Sequence, residues 1–243
     1  MNNRIFTTTS KQEVIAAFES LGFTYVYDDN LPEHFKDMFY FTADTERKCA
    51  IAYYDTGTTV TISFIPRFVM ESKNYSTSYD IVSSSSLFMF EYYNLTNNGL
   101  LLKIAATSSM SVVPTNAITN VGIFKGDNVF RYLIRGFNNA TSLYYENNID
   151  NTAPLQYAHI TPRSISYSET ALLLTKPFFG ARFLECDVYE VIQQPVLNNA
   201  SNYIFTIDGD KYVWGLGPGG VQAQNSHKML MFKLADGYDG EEV

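Results

Sequence analysis

The spacing of apolar and polar positions divides the chain into one helix and a long series of strands. From Ser10 the spacing is helical. Val14, Ile15, Ala17, Phe18 and Leu21 are apolar, Ser10-Lys11-Gln12-Glu13 has the form of a capping box, and Gly22 supplies a stop. This predicts a helix over residues 10–21. After it the period shortens towards two. Residues 23–27 and 38–41 read as short strands. Residues 49–54 and 58–65 flank Asp55-Thr56-Gly57 as a hairpin closed by Pro66, and residues 87–93 and 100–105 flank Asn97-Asn98-Gly99. Residues 122–124 and 129–134 flank Gly126-Asp127-Asn128 in the same way. Further runs fall at 171–178, 183–193, 203–207, 211–214 and 229–234. Asp208-Gly209, between the third and fourth of these, predicts a type I′ turn, in which both central residues take positive φ.

Between the first hairpin and the second lies a polar stretch with Ser72, Ser76, Ser78 and the run Ser83-Ser84-Ser85-Ser86. The organisation expected from this is a small α+β unit over residues 1–70, a polar linker or long loop over 71–86, and a β-rich domain over 87–243. The fold expected is mainly β: an N-terminal helix-plus-sheet unit followed by an antiparallel β-sandwich or barrel-like region.

Composition sharpens this picture. The 243 residues are 46% hydrophobic, 15% aromatic and only 17% charged, where about a quarter charged is usual. The polar surface therefore rests on 21 Thr, 19 Ser and 19 Asn. That balance excludes a highly charged disordered chain, and the aromatic and Thr content suits strands. A net charge of −8 and no basic run argue against nucleic acid as the main ligand. Residues 104–124 are free of charge but are interrupted by Ser, Thr, Asn and Pro, so no membrane span is expected there. The first residues carry no apolar core of signal-peptide length, which leads to the expectation of a soluble protein made in a cytoplasm. Cys49 and Cys186 would span a long loop as a disulfide; without an export signal, two buried thiols are expected instead.

Candidate chemistry is sparse. His34, His159 and His227 have no metal-ligand spacing. Gly215-Leu216-Gly217-Pro218-Gly219-Gly220 lacks the Lys and Ser/Thr of a phosphate loop and reads as a loop after a strand. Asp208 and Asp210 do not continue into a calcium loop, because the twelfth position is Gly219. Glu185, Asp187 and Glu190 are the carboxylates closest to a glycosidase pattern, and a solvent-facing edge explains them as well. The sequons at Asn74, Asn94, Asn139 and Asn199 are about as many as chance gives. No catalytic residue, cofactor or metal is therefore expected. What stands out is tyrosine in adjacent pairs: Tyr53-Tyr54, Tyr92-Tyr93 and Tyr144-Tyr145. Strand neighbours point to opposite faces, so one member of each pair packs inward and the other meets water or a partner. Tyr54, Tyr93 and Tyr145, with Trp214 and the loop glycines Gly217 and Gly219, are the candidate interface or ligand contacts.

The closing segment IDGDKYVWGLGPGG, followed by HKMLMFKLAD, resembles the terminal hairpin and last strand of structural proteins in tailed-phage particles. The acidic, Cys-poor, Asn/Ser/Thr/Tyr-rich composition is similar in style. The resemblance implies a non-enzymatic virion component in a tail, neck, baseplate or capsid-decorating position, made in a host cytoplasm. Its implied partners are copies of itself and other virion proteins. An alternative is a carbohydrate-binding module or adhesin that meets a host-surface glycan through exposed Tyr and Trp214. A third reading is a glycan-degrading enzyme centred on Glu185 or Asp187.

Overall fold

The computed structural model describes residues 3–47, 49–65, 68–69, 74–75, 79–111, 118–126, 129–135, 143–146, 155–156, 165–167, 172–175, 178–179, 182–183, 187–193, 204–214 and 229–238. In chain order the first elements are β1 (Arg4–Thr8), α1 (Lys11–Ser20), β2 (Phe23–Tyr27), β3 (Asp37–Phe41), β4 (Ala50–Asp55) and β5 (Val60–Ile65). Next come β6 (Phe68–Val69), β7 (Asn74–Tyr75), β8 (Tyr79–Ser84), β9 (Leu87–Leu95), β10 (Gly99–Thr107), β11 (Thr119–Gly126) and β12 (Val129–Arg135). The short strands β13 (Leu143–Glu146), β14 (Leu155–Gln156), β15 (Ile165–Tyr167), β16 (Leu172–Thr175), β17 (Phe178–Phe179) and β18 (Arg182–Phe183) follow. The last are β19 (Val188–Gln193), β20 (Ile204–Ile207), β21 (Asp210–Trp214) and β22 (Met229–Lys233).

Every strand pairing is antiparallel among the described residues, and three sheets carry the architecture. Their orders are β2-β3-β4-β5-β8, β1-β9-β10-β11-β12-β13-β14 and β15-β16-β19-β22-β21-β20. The fold is thus mainly β, with its helix near the N-terminus, as expected. The seven-stranded sheet is the middle layer. Phe88, Phe90, Leu100, Leu102, Ile104, Val121, Ile123, Phe130, Tyr132 and Ile134 on one face join the core of the five-stranded sheet. Tyr93, Leu95, Leu101, Phe124 and Leu133 on the other face pack against Val188, Ile204, Val213 and Phe232 of the six-stranded sheet. Burial on both faces explains why β10 reads as a nearly unbroken apolar run and not as an alternation. Gly122 makes room for the third layer, since a Cβ there would meet the Phe232 ring at 3.0 Å.

The helix closes one side of the first sandwich. Ser10 caps it, accepting from the Glu13 N–H. Glu13 does not complete the box at Ser10; its carboxylate accepts instead from the Thr8 N–H at 2.8 Å. Val14, Ala17 and Phe18 face inward. The Phe18 ring stacks on Phe39 with centroids 4.4 Å apart and meets Phe90 edge-on at 5.3 Å, touching both sheets at once.

Two features of the expected organisation differ. Residues 79–84, placed in a polar linker or long loop, form β8 and pair with β5. Ile81, Val82 and Ser84 are its buried positions, while Asp80 is exposed and accepts from the Ser63 hydroxyl. The N-terminal residues do not stay with their neighbours in sequence either: β1 pairs with β9 in the middle sheet, Arg4 opposite Glu91. The apolar core consequently runs without a break from Val14 to Ile134, across the expected boundary at residue 70. The local hairpins form as read. The β9–β10 tip carries Asn97 and Asn98 at φ 55° and 59°, and the β20–β21 tip carries Asp208 and Gly209 at φ 52° and 88°.

Candidate functional site

The candidate contact residues separate by face. Tyr53 is buried and donates its hydroxyl to the Thr9 carbonyl at 2.9 Å, while Tyr54 lies half-buried on the outer face with its ring edge-on to His34 at 5.8 Å. This pair divides as expected. The second pair divides the other way. Tyr93 is 3% exposed, so it is corrected from a contact residue to a core residue, and Tyr92 is the half-buried member. The third layer and Tyr238 cover Tyr93, which period-two alternation alone does not reveal. Tyr145 lies in β13 and Trp214 ends β21, but their side chains fall outside the described residues, as do Gly217 and Gly219 altogether.

Of the other groups, Asp187 accepts from the Thr96 hydroxyl at 2.8 Å and Asp210 pairs with Lys233 at 2.8 Å, so both serve strand packing. Glu190 is placed only by its backbone in β19, and Glu185, Cys186, His159 and His227 lie outside the described residues. Cys49 is a buried thiol. Among the described residues, no three His, Cys, Asp or Glu side chains come together as a metal site, and no helix is long and apolar enough to cross a membrane.

The structure instead assembles a polar patch on β2, an edge strand of the five-stranded sheet. Tyr25 and Tyr27 share one face of β2, and Lys11 opens α1 beside them. The Lys11 ammonium lies 4.7 Å from the Tyr27 ring centre and 6.0 Å from that of Tyr25, and pairs with Asp37 at 2.5 Å. Tyr25 donates to Asp37 and Tyr27 donates to Asp29. Lys36 adds a second ammonium, paired with Glu33 at 2.9 Å and with Asp29 at 3.7 Å. Burial, then the bond to Asp37, pushes the Tyr25 hydroxyl above its ordinary range; for Tyr27 the bond to Asp29 is the main cause. Both rings therefore stay neutral donors at physiological pH. Tyr27 is 49% exposed, which only Met110 exceeds among the large apolar side chains described.

The backbone of β2 adds to this patch. The Thr42 N–H donates to the Gly22 carbonyl and the Asp28 N–H to the Lys36 carbonyl, both at 2.9 Å. With the register of β2 and β3, the alternation of an antiparallel pair then turns the N–H and C=O groups of Phe23, Tyr25 and Tyr27 away from β3, to the outer edge. In the sequence, residues 23–27 read only as a strand. The signal available was the Tyr-x-Tyr spacing, which places two rings on one face.

A second polar assembly is buried. Arg4, Glu91, Lys103 and Asn120 occupy successive register positions on β1, β9, β10 and β11. Glu91, Lys103 and Asn120 are 3%, 2% and 4% exposed. Glu91 accepts from Arg4 Nε at 2.7 Å and from the Tyr93 hydroxyl at 2.9 Å, with Lys103 Nζ at 3.4 Å. Burial alone would raise the Glu91 carboxyl, but Lys103 and Arg4 outweigh it and hold the group below its ordinary range. Burial likewise lowers Lys103 despite the facing carboxylate.

Comparison with protein-family models, with curated proteins and with solved structures finds no match to the chain.

Proposed function

We propose that the chain is a non-enzymatic structural component of a tailed-phage particle, joined to copies of itself and to other virion proteins through strand-edge contacts. The observation that carries the assembly reading is the β2 edge. Its outward backbone groups can extend the ladder with a strand from a neighbour, and the half-exposed Tyr27 supplies an aromatic anchor beside it. An antiparallel edge can pair with its own copy about a two-fold axis, which gives a self-complementary contact. The phage setting rests on the closing segment, whose β20–β21 hairpin forms with its Asp208-Gly209 turn.

The second reading is glycan binding, now centred on Tyr27 with Lys11, Asp29 and Lys36 as polar neighbours. An aromatic face beside paired charges suits a sugar ring and its hydroxyls. Tyr27→Ala separates the two in sedimentation and glycan-array experiments on the folded variant. Loss of a multimer without change in glycan binding supports assembly. Loss of glycan binding by a protein that is monomeric before and after the change contradicts it.

A further inference from the structure

Three buried side chains with complementary chemistry occupy one cross-strand row of the middle sheet. Glu91 and Asn120 flank Lys103 in register, one on each side. Residues directly opposed on antiparallel strands share a face, with Cβ atoms about 5 Å apart. A lysine side chain is long enough to span that separation. Lys103 Nζ lies 3.4 Å from Glu91 Oε1 and 5.2 Å from the centre of the Tyr93 ring. Two further contacts hold the carboxylate: Arg4 Nε on Oε2 and the Tyr93 hydroxyl on Oε1. A buried ion pair contributes little net stability compared with apolar packing of the same volume, so the row is poorly explained as a stabilising device.

We propose that Lys103 and Asn120 become joined by an intramolecular amide bond that the folded chain forms by itself, with Glu91 carrying the proton. The Glu91 carboxylate takes one proton from the Lys103 ammonium, leaving an amine with a lone pair. Nζ attacks Cγ of Asn120 and the Nζ–Cγ bond forms. Glu91 passes its proton to Nδ2, the Cγ–Nδ2 bond breaks, and ammonia departs, taking the remaining proton of the attacking nitrogen as ammonium. Electrons and atoms balance without an oxidant or a cofactor. Burial favours the neutral amine and excludes competing water, and the register sets the two reacting side chains on neighbouring strands. Arg4 and Tyr93 act as positioning residues through Glu91. The bond would clamp β10 to β11 in the middle layer, whatever the protein assembles with.

The test is the mass of the full-length protein and of its tryptic pieces after denaturation. The expected intact mass is about 17 Da below that of the sequence, the mass of one ammonia. An acylated Lys103 is no longer a trypsin site, so residues 74–125 should appear as one uncut piece carrying the whole deficit. The full sequence mass, with separate pieces 74–103 and 104–125, would overturn the proposal. A deficit that maps elsewhere would overturn it equally.

Discussion

Tyr132→Phe removes a single oxygen from the interior and tests how the first two layers are tied together. The Tyr132 hydroxyl, on β12 of the middle sheet, donates to Asp44 Oδ2 at 2.6 Å. Asp44 follows β3 of the five-stranded sheet and is 1% exposed. Its other oxygen accepts from the Glu46 N–H at 3.1 Å. Burial drives the Tyr132 hydroxyl far above its usual range, so it remains a donor at any ordinary pH. Phenylalanine fills the same ring volume, and the rings around Tyr132, Phe64 among them, keep their packing. The cost is then the loss of one hydrogen bond to a buried carboxylate, about 1.5–3 kcal/mol. Urea unfolding followed by tyrosine and tryptophan fluorescence measures it as a lower midpoint at unchanged slope. Asp44→Asn keeps an acceptor without the charge, and the double variant should show a coupling of about 1 kcal/mol or more. A Tyr132→Phe variant within about 0.5 kcal/mol of the parent, or strict additivity with Asp44→Asn, would refute this view of the inter-sheet bond.

Phe18→Ala should cost about 3–5 kcal/mol in the same assay, because the ring bridges Phe39 and Phe90 from two sheets and no neighbour can collapse into both gaps. The Glu13 carboxyl is held below its ordinary value chiefly by the Thr8 N–H. Its contribution is therefore present above the unfolded-state pKa of about 4.3 and is lost as pH falls through the lower folded value. The stability difference between the parent and Glu13→Gln should accordingly shrink below about pH 4.3 and stay constant above it.

What the sequence revealed was what neighbouring residues decide. The helix, its Ser10 cap and the hairpins at Asp55–Gly57, Asn97–Gly99 and Asp208-Gly209 depend on local period and turn chemistry, and all of them formed. Pairing between distant segments was hidden, as Arg4 opposite Glu91 shows, since no local pattern states which edge a strand joins. The same gap misplaced Tyr93. Alternation says that one tyrosine of a pair turns inward, but which one depends on the layers outside the sheet, and here both faces are covered. Residues 79–84 were obscured by serine, although Ile81 and Val82 carried the strand signal. Tyr27 has no adjacent tyrosine, and its signal is the spacing of two from Tyr25, which sets both rings on one face.

The association proposed through the β2 edge is read from the mass of the protein in solution across a concentration range, with electron-microscope images of the same sample. The expected result is a defined multimer, seen as a ring, tube or two-fold pair, that Tyr27→Ala shifts towards monomer. A strict monomer at every concentration, unchanged by Tyr27→Ala, would contradict it.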